Sequence, residues 1–422
     1  MLASLPYIAS IILSMNRPES TIYLDYAATT PIDPVVLETM MPYFSEHFYN
    51  PSALYKEAVG IQRVLLESRK KVAHELSARP EEIVFFDGGT EANNQAIVGT
   101  ITTWKKKNPN KIPHAVTSEI EHSSVLQLFK HLEEAGECTV DYLGIDSSGL
   151  VSAKELKKTL TENTVIVSIA YGNGEIGVIQ NIKEIAKIVR HFKKHNDSVY
   201  PYTHTDAAQV AHFCNLNVLQ LGIDLMSITG SKIYGPKKIA ALYIKTGTEL
   251  DPLMHGGGQE SSLRPGTENI PSIVGLATAL ELVRKKTEEE SNRLFFLKEF
   301  FITSIKNIDS SIIVNNNSEK ASYLPHIVNI TIPNLSSEEI LLRLDAKGIA
   351  CSMKSACTSN REGDSHVILA LREHDVKNKK HTGSIRFSFG RDTNEEQLKI
   401  TLTELTKIVK EMSAFKEQLL GN

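Results

Sequence analysis

A chain of 422 residues is longer than one hydrophobic core ordinarily serves, so two domains are expected. Its 41% hydrophobic and 23% charged residues, with no low-complexity tract or repeat, exclude a disordered, fibrous or solenoid protein. A formal net charge of -4 gives no general pull toward nucleic acid or an anionic membrane, so neither is expected as a direct partner.

Residues 1–16 carry no charged side chain. Their apolar run is broken by Pro6, is shorter than the ~20 residues of a membrane span, and lacks the basic flank of a secretory signal. Residues 1–20 are therefore read as a disordered extension, with Met15 as a candidate start. Ile22 to Pro31 (IYLDYAATTP) is a short strand running into a small-residue turn. A helix from about Pro34 to Phe44 precedes the turn Asn50-Pro51-Ser52. Val59, Leu65, Leu66, Val72, Ala73 and Leu76 recur at helical spacing, so Lys56 to Ser77 is expected to be an amphipathic helix with these residues toward the core.

Ile83 to Phe86 reads as a buried strand, and Asp87-Gly88-Gly89-Thr90-Glu91-Ala92-Asn93-Asn94 turns into a helix reaching about Trp104. Free N–H groups at such a helix start, with glycines and the Thr90 hydroxyl, suit a phosphate. A tight turn with an N-cap accounts for the same residues. A dinucleotide fold would require GxGxxG here, and it is absent. Strand Ala115 to Thr117 then leads to His122, where a helix begins. The alternation continues through strand Cys138 to Tyr142, a helix opened by a Ser152/Glu155 capping box, strand Val165 to Ile169, the turn Tyr171 to Gly177 and helix Ile182 to Lys194, the pattern of an α/β fold.

The β-prone Ser198 to Thr203 is followed by His204-Thr205-Asp206-Ala207-Ala208-Gln209, which puts a carboxylate at a strand end. Asp224 to Ile228 is a further apolar strand, broken by Thr229-Gly230-Ser231 before Lys232. Burial disfavours an ammonium, so a lysine held at a buried strand end is available as a neutral amine for a Schiff base. A surface lysine in a glycine-rich turn is the plainer alternative. A Schiff-base lysine and an acidic partner for a pyridinium nitrogen are the two groups that pyridoxal phosphate needs from a protein. Strand Ile239 to Ile244, a loop from His255 to Asn269, a charged helical stretch Glu281 to Lys306, strand His326 to Ile332, helix Glu338 to Lys347, strands Gly348 to Ser352 and Ser384 to Phe389, and a helix from about Asn394 complete the chain.

The pairing of HTDAAQ (204–209) with SITGSKIYGPK (227–237) resembles the cysteine desulfurases, members of the class V aminotransferases. In the family's order the chain also carries YLDYAATTP (23–31), NPS (50–52), His122 of a TEH-like motif, NGEIG (173–177), GGGQESSLRPGTEN (256–269), SACTS (355–359) and Arg386. The resemblance implies a fold-type I α/β enzyme with a mixed, mostly parallel sheet, flanking helices and a smaller α/β C-terminal domain. Residues 35–285 would form the large domain, and 21–34 with 286–422 the small one.

The resemblance also implies the roles. Pyridoxal 5'-phosphate would be held by Lys232, Asp206, Gln209, Asn173, Gly89, Thr90, Thr229, Ser231 and Thr267, with His122 stacked on its ring and moving protons. Asn173 and Arg386 would hold L-cysteine, Arg386 clamping its carboxylate. Cys357, on a polar loop like that of the subgroup feeding iron–sulfur scaffolds, would take the sulfur as a persulfide. Cys351, in a strand, reads as a buried small apolar residue. With Cys138 and Cys214 the four cysteines form no CxxC or zinc spacing, so no metal site is expected and a reducing compartment, the cytoplasm, fits. A homodimer sharing the loop Gly256–Asn269, and a sulfur-acceptor protein such as an iron–sulfur scaffold or a tRNA-thiolation carrier, are the expected partners.

The chain departs from the family at Tyr55 (often histidine), Gly174 (asparagine), Ser231 (histidine), Ser261 (arginine) and Met353-Lys354 (Ser-Gly). Selenocysteine lyase or another class V activity is the alternative of the same class. A catalytically degenerate interaction partner is the alternative of another class.

Overall fold

The computed structural model describes residues 21–353, 365–372 and 383–420. The extension 1–20 and the loop carrying Cys357 lie outside the described residues. Seven strands form one sheet, in the order Ile83–Phe86, Ala240–Ile244, Leu225–Thr229, Tyr202–Asp206, Thr164–Ser168, His114–Ser118 and Thr139–Leu143. Only Ala240–Ile244 runs against its neighbours.

The inner strands are buried along their whole length, and Thr164–Ser168 and Leu225–Thr229 are mostly apolar, because helices cover both faces of the sheet. Within Ile83–Phe86 the alternation is visible in the packing. Ile83 and Phe85 join the core with the helices Lys56–Leu76, Ile182–His195 and Ile270–Lys285, while Val84 and Phe86 face the helices Gly89–Lys107 and Ser123–Glu134.

A three-stranded antiparallel sheet of Ile313–Val314, Ile327–Thr331 and Ile385–Ser388 forms a second core with the helices Thr287–Ile308, Ser337–Ala346 and Glu395–Leu420. Phe301 packs edge-on against Phe387 at 5.0 Å between ring centres. The strand Ile22–Tyr23 pairs in parallel with Ile349–Ala350, which carries Leu24 into this second core.

Three local expectations shift. Leu66 is 45% exposed and Val59 only partly buried. The buried stripe of that helix runs through Ala58, Ile61, Leu65, Ser68 and Val72, and one residue beyond Leu65 turns about 100° away from it. The strand expected from Ser198 starts at Tyr202, because Pro201 has no N–H for the ladder. Asp206 is therefore the last residue of its strand. The stretch Glu281–Lys306 is divided between two helices, Ile270–Lys285 and Thr287–Ile308, with Lys286 between them.

Candidate active site

A pocket of about 240 Å³ opens at the carboxyl ends of the parallel strands, where open α/β sheets place their ligands. It is lined by Gly89, Thr90, His122, Asn173, Asp206, Gln209, Thr229, Ser231, Lys232 and Arg386. Of the described residues expected to form a site, only Thr267 is not among these; Cys357 lies outside the described residues. A more open groove of about 690 Å³ lies along Lys157, Lys187 and Arg190 and contains none of them.

Lys232 ends a short 3-10 turn, Gly230–Lys232, that follows the fully buried strand Leu225–Thr229. The turn is tight. A Cβ on Gly230 would lie 2.6 Å from the Pro236 carbonyl, so a side chain there would push the turn open. Lys232 Nζ donates to the carbonyls of Ala27 (2.8 Å) and Ala28 (2.5 Å). Gln209 Nε2 shares the Ala27 acceptor at 2.9 Å. The small-residue turn thus holds both side chains at one point of the pocket wall.

Asp206 Oδ1 accepts from the Ala208 N–H at 2.9 Å, and Oδ2 accepts from Asn93 Nδ2 at 2.7 Å. The same amide donates to Ser124 Oγ at 2.9 Å. Ser124 Oγ lies 2.8 Å from His122 Nδ1, which also accepts the Ser124 N–H at 3.1 Å as the cap of the helix Ser123–Glu134. With Nδ1 occupied as an acceptor, neutral His122 carries its proton on Nε2. Asn93 therefore ties the carboxylate to the histidine.

Glu121, 1% exposed, is another wall of the pocket. It accepts from Ser118 Oγ (2.6 Å) and from the Ala170 N–H (2.9 Å), which fixes the loop before His122 to the adjacent strand end. Burial pushes its carboxyl up to about 8, against the lowering by these two bonds and with Asp206 raising it further. His204, beneath Asp206, is held neutral by burial and shared between Ser168 Oγ (2.8 Å) and Ser227 Oγ (3.2 Å).

The helix Gly89–Lys107 starts with no side-chain cap, and Gly88 sits at φ 130. The leading amides of a long helix are therefore left for an anion beside Thr90 and Ser231. On the other wall Asn173 holds its own turn. Its Oδ1 accepts from Glu175 N (2.8 Å) and Ile176 N (2.9 Å), and its Nδ2 donates to the Ile120 carbonyl (2.8 Å). At the departure Gly174, a Cβ would come 2.9 Å from Gln209 Nε2. The glycine gives Gln209 the room it occupies.

Arg386 is 2% exposed. It donates to the Gly174 carbonyl at 2.8 Å and pairs with Asp25 at 2.6 Å, while its Nε is buried without a hydrogen-bond partner. Asn93, Glu121 and Asp25 are the site residues that sequence reasoning missed. Asn93 left a weak signal, an amide among Ala92, Ala96 and Ile97 on a helix face that also buries Gln95 and Thr100.

Thr267 is exposed and belongs to the loop that starts at His255. Within that loop Glu260, Ser261 and Ser262 are left-handed, with φ of 47, 57 and 63, a conformation that non-glycine residues hold only when the surroundings impose it. Buried Glu260 imposes it here. It pairs with Arg69 through two bonds of 2.6 and 2.8 Å and accepts the Phe85 N–H at 2.7 Å. Glu260→Ala leaves the guanidinium without its carboxylate, so the denaturation midpoint is expected to fall by the equivalent of about 3 kcal/mol. A loss below about 1 kcal/mol would show that the loop does not depend on this pair.

Among the described residues no group of His, Cys, Asp and Glu could hold a metal ion, and no helix is long and apolar enough to cross a membrane. The family model described as Aminotransferase class-V matches residues 22–400. The cysteine desulfurase IscS of Dictyoglomus turgidum is 38% identical over 93% of this chain and 95% of its own length. The solved structure of a NifS-like protein superposes with a TM-score of 0.82 at 30% identity, covering 92% of this chain and 99% of that one. That of SspA in complex with cysteine does so with a TM-score of 0.73 at 34% identity, covering 87% and 99%. The chain belongs to the class-V aminotransferase family, and within it to the cysteine desulfurases.

Proposed function

We propose that this protein is a pyridoxal-phosphate-dependent cysteine desulfurase that turns L-cysteine into L-alanine and leaves the sulfur as a persulfide on Cys357. The observation that carries this reading is the meeting of Lys232, Asp206 and Arg386 in one strand-end pocket. The residues fit the cofactor. An amine stands near an anchored carboxylate, an uncapped helix start faces the phosphate role, and a buried guanidinium keeps an unused donor for a carboxylate.

Lys232 would hold the cofactor through Nζ, Asp206 would face its ring nitrogen, and Gly89, Thr90 and Ser231 would serve its phosphate. When bound, the group supplies an electron sink for bonds at the substrate α-carbon. The chain's residues do the rest. Arg386 binds and orients the L-cysteine carboxylate. Lys232 Nζ moves the proton at the α-carbon, and His122 Nε2 holds the exchangeable proton that its Ser124 contacts assign to it. The Cys357 thiolate attacks the substrate sulfur. The carbon–sulfur bond breaks, a sulfur–sulfur bond forms, and the carbon takes up a proton to give alanine. Purified protein supplied with pyridoxal phosphate is expected to form alanine from L-cysteine, and sulfide in equal amount with a thiol reductant. Alanine from L-selenocysteine alone would overturn the sulfur assignment.

A homodimer and a protein sulfur acceptor, such as an iron–sulfur scaffold in the cytoplasm, belong to the same proposal. Met41, Phe44, Phe48 and Leu54 leave an apolar surface, Phe48 at 66% and Leu54 at 96% exposure, of the kind that a second subunit covers. Thr267, outside its own chain's pocket, is then free to serve the partner's. Light scattering at twice the chain mass is the expected result.

Ser231 and Ser261 offer the phosphate less than the histidine and arginine of relatives. Cofactor binding is expected to be looser by about 1 to 2 kcal/mol, the scale of one charge-assisted hydrogen bond. Ser231→His should then slow the loss of visible absorbance on dialysis. An unchanged or faster loss would mean that other groups compensate.

A further inference from the structure

The pocket explains where Arg386 acts but not what aims it. Its Nη1 is held by the Gly174 carbonyl and its Nη2 by Asp25 Oδ1, at 2.8 and 2.6 Å. Gly174 and Arg386 line the pocket, whereas Asp25 does not, so the carboxylate grips the guanidinium from outside the cavity. Asp25 is itself fixed. The strand Ile22–Tyr23 is paired to Ile349–Ala350, and Asp25 bridges to Ser388, two residues along the strand from Arg386. The Tyr23 hydroxyl closes the turn, its one proton shared between the carbonyls of Asp25 and Thr29, each at 2.9 Å.

A guanidinium buried without a counter-ion is costly, and a long side chain held at one end only keeps several rotamers. We propose that Asp25 is a positioning residue for substrate selection: it offsets the burial of the Arg386 charge and fixes the plane of its fork, so that an α-amino acid's carboxylate meets donors already aimed. The inference rests on reading the pocket as an L-cysteine site. Asp25 then serves the carboxylate alone, and amines without a carboxylate are indifferent to it.

The test uses the cofactor-loaded protein and two ligands with no sulfur to transfer, L-alanine and ethylamine, which lacks the carboxylate, with dissociation constants read from the visible absorbance. Asp25→Ala is expected to weaken L-alanine about tenfold while changing ethylamine by less than about twofold, as for loss of one charge-assisted contact. Asp25→Asn keeps an acceptor without the charge and is expected to lie between, at about threefold. It carries the test if the alanine variant does not fold. Equal weakening of both ligands, or none for L-alanine, would overturn the positioning role. A parent protein that binds L-alanine no better than ethylamine would instead sink the carboxylate reading of the pocket, and the role of Asp25 with it.

Discussion

Lys232→Ala is expected to remove turnover of L-cysteine, by more than about 10³-fold, together with the visible absorbance of bound pyridoxal phosphate. Among the described residues lining the pocket Lys232 is the only lysine, and its amine is already gathered onto the Ala27 and Ala28 carbonyls. The rival amine is Lys298, whose burial pushes its ammonium down to about 8. A depressed ammonium is the usual mark of a reactive lysine, yet geometry decides against it. Lys298 donates to the Leu324 carbonyl at 3.1 Å and lies over the Tyr323 ring, away from the pocket. Lys298→Met should therefore keep the absorbance and most of the turnover. Sulfide release that survives in Lys232→Ala and vanishes in Lys298→Met would show that the wrong amine has been assigned.

The strand ends were legible in the sequence because apolar runs stop at Gly, Thr and Asp in the same places where the chain leaves the sheet. That pattern puts Asp206 and Lys232 at strand ends, and the resemblance to the desulfurases then singles them out with His122 of the TEH-like motif. Their supports could not be placed from either. Asp25 meets Arg386 across 361 residues of sequence, Asn93 meets Asp206 across 113, and Glu121 meets Ala170 across 49. No local pattern encodes a pair that only the fold brings together. The faces of the fully buried strands were illegible for another reason. When both faces are buried, alternation disappears from the sequence and only the packing divides Ile83 from Val84. Leu66 misled because an apolar residue beside a helix stripe is indistinguishable from one on it until the neighbouring helices are in place.

Cys357→Ser separates cofactor chemistry from sulfur transfer. In the proposed reaction, binding of L-cysteine and exchange of its α-proton would depend on Lys232, Asp206, His122 and Arg386, whereas only the attack on sulfur would depend on a thiolate. None of the three described cysteines is suited to that attack. Burial pushes the thiols of Cys138 and Cys214 up to about 12 and raises that of Cys351 strongly as well, and Cys351 packs against the second core. A thiol kept protonated is a poor nucleophile. Cys357 follows Ser352, whose backbone is bonded in both directions to Arg386, at 3.1 and 2.6 Å. The chain leading to this cysteine therefore starts at the residue that would hold the substrate carboxylate. A serine at 357 keeps the size and polarity of the side chain but replaces a thiol of pKa ~8.5 with a hydroxyl that does not ionise near neutral pH. The variant should keep its visible absorbance and still change spectrum with L-cysteine, yet form neither alanine nor persulfide. Cys351→Ser should leave turnover largely intact. If the two variants exchange these behaviours, or if Cys357→Ser forms alanine at the parent rate, sulfur does not pass through Cys357.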